Sequence, residues 1–304
     1  MTDCQILTDS VACFLKQAQY PGINTMNVLQ KTAIDRFLDS GEYDNSFEMW
    51  SGGTFVDKAN RGSHALRSAL ISEVLLRAGQ AAVPAYCHSV TDIDSCAKFT
   101  PMVRGLFPQA EQSIILDMLE RSVIFLTPAT IKIALEKTPW LHTAWNLANL
   151  YLASLDAKLL GDAALGIVGL SEETTCYVSM SYFANRNPFD DYVIHEAAHI
   201  FHNCKRESIG LPATRRREWM LEIDYTKRET FAYSCEAYSR MLELGETRSA
   251  RIRLLSELAE GPMPSDERVD GSEYVDILRE CVAARNGWKR ILERCSPLKS
   301  HHGS

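Results

Sequence analysis

His195-Glu196-Ala197-Ala198-His199 sets two imidazoles four residues apart, with a carboxylate beside the first. On an α-helix that spacing puts both rings on one face. Two such rings can hold one Zn2+ with nitrogens at about 2.0–2.1 Å. Glu196 stands where its carboxylate reaches a water on the metal without occupying the metal. Zinc lowers the pKa of that water toward about 7. A neighbouring carboxylate takes the proton as the water attacks a carbonyl, then passes it to the leaving amine. A five-residue motif also arises by chance, as a core helix with two satisfied histidines and a solvated glutamate. Its context argues against chance. A strand-like run precedes it, a helix start signal opens it, and Val193, Ile194, Ala197, Ala198, Ile200 and Phe201 would bury it.

A catalytic zinc site needs a third protein ligand and an open fourth position. His202 lies seven residues after His195, about 10.5 Å along a straight helix. One ion cannot bind both, so His202 is expected beside the site or in the core. A second helix offers Glu229 and Glu236, which are seven apart and can share a face. Ala232 and Ala237 would let that helix approach closely. Glu229 is the favoured ligand and Glu236 the alternative. Glu236 could instead orient a ligand histidine, a role that metal sites generally require. Thr226-x-x-Glu229 also matches a capping box, a purely structural use of Glu229. A helix running from about Arg216 would remove that use. A developing oxyanion needs a donor. Tyr233 is the catalytic candidate beside Glu196, and Tyr238, Tyr274 and His202 are the other candidates for this role.

The elements that must hold these residues can be read from pattern. Helices are expected over Thr25–Ser40, His64–Ala78, about Thr127–Lys137 behind Pro128, and His142–Leu155. Strands are expected at Ser122–Leu126, Leu165–Leu170 and Thr174–Phe183. Asn187-Pro188 would start the motif helix, with Asp190 and Asp191 in its first turn. Helices follow over about Arg216–Leu244, Thr247–Glu260 and Tyr274–Arg294.

His195-Glu196-x-x-His199 with a downstream helical Glu229 resembles the gluzincin group of zinc metallopeptidases. Glu229-Thr230-Phe231-Ala232-Tyr233 is similar to the stretch around the third ligand in aminopeptidase-type members. The resemblance covers about residues 170–242. It implies His195, His199 and Glu229 as Zn2+ ligands, Glu196 as general base, and an edge strand at Thr174–Phe183 that aligns an extended peptide. Three departures stand out. The interval from His199 to Glu229 is long, Arg228 replaces the usual Asn, and no Gly-x-Met-x-Asn exopeptidase signature occurs. The metzincin pattern fails, because His202 and Lys205 fill its Gly and third His positions.

The expected fold is α+β. A zincin-like domain with a mixed sheet spans residues 119–245. A mainly helical region, 1–118, precedes it; helices at 246–296 and a disordered tail at 297–304 follow. The expected activity is zinc-dependent hydrolysis of peptide bonds in a peptide or protein substrate. Hydrolysis of a non-peptide amide and a non-catalytic role on the same fold are the alternatives. With 304 residues, 46% of them hydrophobic, the chain can bury a large core. A net charge of −7 argues against general nucleic-acid binding, although Arg215-Arg216-Arg217 forms a local basic cluster. That cluster is read as a solvated face or a clamp for an acidic group. No apolar run approaches the ~20 residues of a membrane span. The first twenty residues lack a secretion-signal pattern. Nine scattered cysteines without a Cys-x-x-Cys pair fit free thiols, Cys204 and Cys235 among them as small core residues. A cytoplasmic protein is the resulting expectation. His64 and His88 are isolated and are read as structural.

Overall fold

A computed structural model of the chain describes residues 26–81, 95–161, 169–184, 187–213 and 217–297. Among these residues helices dominate, and three short strands form one mixed sheet, a helix-rich α+β architecture.

Two helices open the described chain. Helix α1, Val28–Ser40, starts at a reciprocal cap between Asn27 and Gln30 and stops at Gly41, whose φ is 74°. Helix α2, Phe55–Ala78, starts well before the expected His64, because Thr54 and Asp57 close a second capping box. Helices α3, Ser95–Leu106, and α4, Gln109–Glu120, lead into strand β1, Val123–Leu126. Helix α5, Ile131–Lys137, begins after the expected Thr127-Pro128 start. The Thr130 hydroxyl accepts from the Thr127 backbone N–H, and the Thr127 hydroxyl from the Thr130 backbone N–H, closing a turn first. Helix α6, Leu141–Ser154, follows.

Strand β2 is Gly169–Glu172 and strand β3 is Thr175–Ser179. Residues 165–168 of the expected strand lie outside the described residues. The third expected strand is shorter than its apolar run, since a 3-10 turn occupies Met180–Ala184. The sheet order is β1-β3-β2. Strand β1 runs parallel to β3, with Val123 opposite Cys176. Strand β2 runs antiparallel to β3, with Gly169 opposite Val178. The edge role expected of Thr174–Phe183 is therefore corrected. A tight turn, with Glu173 at φ 50°, folds β2 back onto β3. Strand β3 becomes central and β2 takes the edge.

Helix α7, Tyr192–Asn203, carries the histidine motif and packs on β2 and β3. It starts later than Asn187, because Asp191 is its cap: the carboxylate accepts from the Ile194 N–H. Asn187 and Asp190 form the turn before it. Helix α8, Arg228–Leu244, also starts later than expected. Residues 217–224 are non-helical, and Trp219 pairs with Lys205 in an isolated bridge. Helix α9 is Arg248–Glu260, capped by Thr247. The expected single helix from Tyr274 is two, α10, Gly271–Ala283, and α11, Gly287–Cys295, with Asn286 capping the second.

Two apolar cores result. One gathers α3, α4, α7, α8, α10 and α11 around Phe99, Phe107, Phe201, Phe231 and Trp288. The other joins α1 and α2 to α5 and α6 around Phe37, Leu70, Trp145 and Tyr151. Residues on both sides of position 118 share each core. Cys176, Cys204, Cys235, Cys281 and Cys295 are free and buried within the first core. Among the described residues no helix is long and apolar enough to cross a membrane. His88, Arg215, Arg216 and the tail from 298 lie outside the described residues. Arg217 pairs with Glu111, which the fully buried Arg206 also holds.

One buried ion pair ties α3 to the start of α7. Lys98 Nζ lies 2.6 Å from Asp191 Oδ2, and the Asp191 side chain is fully buried. Burial works against charge on Lys98, but the Asp191 carboxylate reverses that effect and raises its pKa. Removing one member of a buried pair costs about 3–5 kcal/mol, because the other charge stays behind. Lys98→Met should lower unfolding stability by about that amount in urea titration. A midpoint equal to wild type would show that the pair does not hold α7.

Candidate metal centre

The site assembles where α7 and α8 cross. The two helices pack against each other, and both carry small, fully buried residues: Ala197 and Ala198 on one, Ala232 and Ala237 on the other. Side chains of both helices converge at one point.

His195 and His199 turn their Nε2 atoms toward each other, 3.1 Å apart. Glu229, in the first turn of α8, places Oε2 3.5 Å from His199 Nε2 and 3.8 Å from His195 Nε2. Two tetrahedral ligands at about 2.0–2.1 Å from one ion lie about 3.3 Å apart. The triangle formed by these three atoms has that size. Among the described residues, His195, His199 and Glu229 are the group whose donor atoms converge in this way. Two imidazoles and one carboxylate are also the donor set of catalytic zinc sites with a fourth position open. The residues therefore fit a zinc ion or another divalent metal of similar preference.

The capping-box use of Glu229 is absent. The Thr226 hydroxyl donates to Asp224 Oδ1, and the N-cap residue Lys227 makes no side-chain cap bond. Glu236 occupies the other side of the His195 ring. Its Oε2 lies 3.0 Å from His195 Nδ1, and its Oε1 accepts from the Asp191 backbone N–H at 2.5 Å. Of the two carboxylates, Glu229 thus faces the paired Nε2 atoms and Glu236 orients the ring. His202 supports His199 in the same way, with Nε2 3.0 Å from His199 Nδ1 and Nδ1 3.1 Å from Asn203 Oδ1. Burial, then the charge of His199, pushes His202 down to about 3, so it stays neutral.

Glu196 is buried and points at β2. A Cβ on Gly169 would come within 2.6 Å of its Oε1, so the absence of a side chain lets the strand backbone pass beside the carboxylate. Burial raises the Glu196 pKa, against the nearby charges of His195 and His199 and a hydrogen bond with the Ser171 side chain. That direction suits a group that must both accept and return a proton.

The tyrosines separate clearly. Tyr233 packs edge-on against His195, with ring centroids 4.5 Å apart. Burial, followed by the charge of Glu236, pushes its phenol up to about 12, which keeps it a neutral donor. Tyr238 faces Trp288 and Gly287 in the core. Tyr274 is buried, and burial raises its phenol well above the ordinary value, with Glu236 and Tyr233 in its field. Sequence reading missed Lys98 and the capping role of Asp191 behind Glu236, as well as Gly169 and Ser171 beside Glu196. No spacing rule connects these positions. A cavity of about 480 Å3 opens between α5 and the β2–β3 turn, and none of the candidate site residues lines it.

Comparison with protein-family models, with curated proteins and with solved structures finds no match for the chain. The functional reading therefore rests on the geometry of the centre itself.

In the metal-free chain, burial opposes charge on His195, but the adjacent Glu229 and Glu236 carboxylates outweigh it and raise the ring to about 10. Metal ligation needs the neutral ring, so uptake displaces a proton. Below that pKa, zinc affinity should fall about tenfold per pH unit for each displaced proton, and it should keep rising above pH 6.5. Competition against a chromophoric chelator from pH 6 to 9 measures this; a plateau above pH 7 would contradict it. Replacing His195, His199 or Glu229 with Ala should abolish stoichiometric zinc. Glu236→Gln should keep it, with affinity lower by about 10–100-fold.

Proposed function

We propose that the protein is a zinc-dependent hydrolase that cleaves peptide bonds, a zincin-like metallopeptidase of gluzincin type. The observation that supports this reading is the convergence of His195 Nε2, His199 Nε2 and Glu229 Oε2, with Glu196 buried one residue from a ligand. A bound zinc ion would polarise a carbonyl and lower the pKa of water.

The chain's own residues would carry the remaining steps. Glu196 takes the proton of the attacking water and returns it to the leaving amine; its raised pKa favours that exchange. Tyr233, neutral and packed against His195, would donate to the oxygen that gains charge. Glu236 and His202 hold the two rings by their far nitrogens. Strand β2 is an antiparallel sheet edge that runs past Glu196, and such an edge can pair with an extended substrate backbone. This last feature favours a peptide over a small amide.

Glu196→Gln should bind zinc like wild type and lose about 10²–10⁴-fold in hydrolysis. Zinc-loaded wild type and variant, incubated with a peptide library and read by mass spectrometry, test this together with zinc content. Equal cleavage by both proteins would sink the general-base role. Zinc-replete wild type that cleaves no peptide would sink the peptidase reading.

A further inference from the structure

The loop between α9 and α10 reaches across to the third ligand. Glu229 uses its two oxygens differently. Oε2 faces the histidines, whereas Oε1 lies 3.2 Å from Arg268 Nη2. Arg268 is itself held. Its backbone N–H and its Nε both donate to Asp266 Oδ1 at 2.9 Å, and its Nη2 donates to Asp266 Oδ2 at 2.5 Å. The turn beneath is closed by the Val269 N–H on the Asp266 carbonyl, and Asp270 caps α10 directly after it. The guanidinium is thus fixed at two points before it meets Glu229.

Its position has a direction. The Arg268 side chain is 64% exposed and Glu229 only 15%. The cation therefore covers the solvent side of the carboxylate and leaves the other oxygen turned inward. An ordinary exposed ion pair contributes little to stability, largely because two mobile side chains must be ordered. Here Asp266 has already ordered the arginine, so that cost is mostly absent, and the fork geometry of the guanidinium fixes which oxygen it takes.

We propose that Arg268, anchored by Asp266, is a positioning residue for the metal ligand Glu229: it occupies Oε1 so that Oε2 alone is presented to the metal. The role rests on the metal-site reading above. Arg268 withdraws charge from the carboxylate, and its removal lets the Glu229 side chain rotate or present both oxygens. The ligand shell then changes in geometry as well as in strength.

The test uses the full chain, stripped of metal, as wild type, Arg268→Gln, Arg268→Lys and Asp266→Asn. Each is titrated with Zn2+ against a chromophoric chelator and, separately, loaded with Co2+ for its visible absorption spectrum. Arg268→Gln should bind Zn2+ about 10–100-fold more weakly and show an altered Co2+ spectrum. Arg268→Lys should recover part of the affinity, since a cation returns without the fork. Asp266→Asn should fall between wild type and Arg268→Gln. A purely structural loop contact would leave the Co2+ spectrum unchanged. Wild type that binds metal, with an Arg268→Gln variant matching it in affinity and spectrum, overturns the inference alone. Wild type that takes up neither ion overturns the metal-site reading, and the inference with it.

Discussion

The Glu236 carboxylate joins two helices at the one place where their relative position matters. One oxygen takes the backbone N–H of Asp191 at the start of α7, and the other meets Nδ1 of His195 a turn later. A buried carboxylate with one partner missing is costly, so both contacts are kept together. The arrangement sets the rotation of α7 about its own axis and, through it, the direction of both imidazoles. Asp191 extends the constraint. Its side chain caps α7 and pairs with Lys98, which ties the motif helix to α3.

The sheet contributes a boundary on the other face of α7. Strand β2 passes close to Glu196 only because Gly169 has no side chain. Backbone therefore bounds the carboxylate on one side, whereas the third of the converging donor atoms comes from the other helix. Glu229 comes from α8, Glu196 from α7, and neither competes for the position of the other. Separation of a ligand carboxylate from a proton-carrying carboxylate is a requirement of the chemistry proposed here. Two helices and one edge strand meet that requirement with few residues.

Much of the local structure was legible in the residues. The strand run at Ser122–Leu126, the helix after it and the helices at 142–155 and 247–260 follow from apolar period and cap chemistry. Misreadings fell where a side chain overrode the pattern. Asp191 capped α7 later than Asn187-Pro188 suggested, and the Thr54–Asp57 box opened α2 earlier than its apolar face did. The apolar pattern predicts helix through residues 217–224, yet Trp219 pairs with Lys205, and Leu221 donates its N–H to Phe201 across the fold. Such contacts between distant segments leave no periodic mark.

For the centre, the spacing of His195, Glu196 and His199 determined by itself that two rings share a helix face with a carboxylate beside them, because 3.6 residues per turn allows nothing else. The residue types also limited the third donor to Glu229 or Glu236. Tertiary structure decided between their roles. The crossing of α7 and α8 turned Glu229 toward both Nε2 atoms and Glu236 toward Nδ1. It likewise brought Lys98, Gly169 and Arg268, remote in sequence, to the edges of the same site. Spacing along one helix is a local property of the backbone. Which face of a second helix meets it is fixed only when tertiary packing and paired charges settle how the helices lie together.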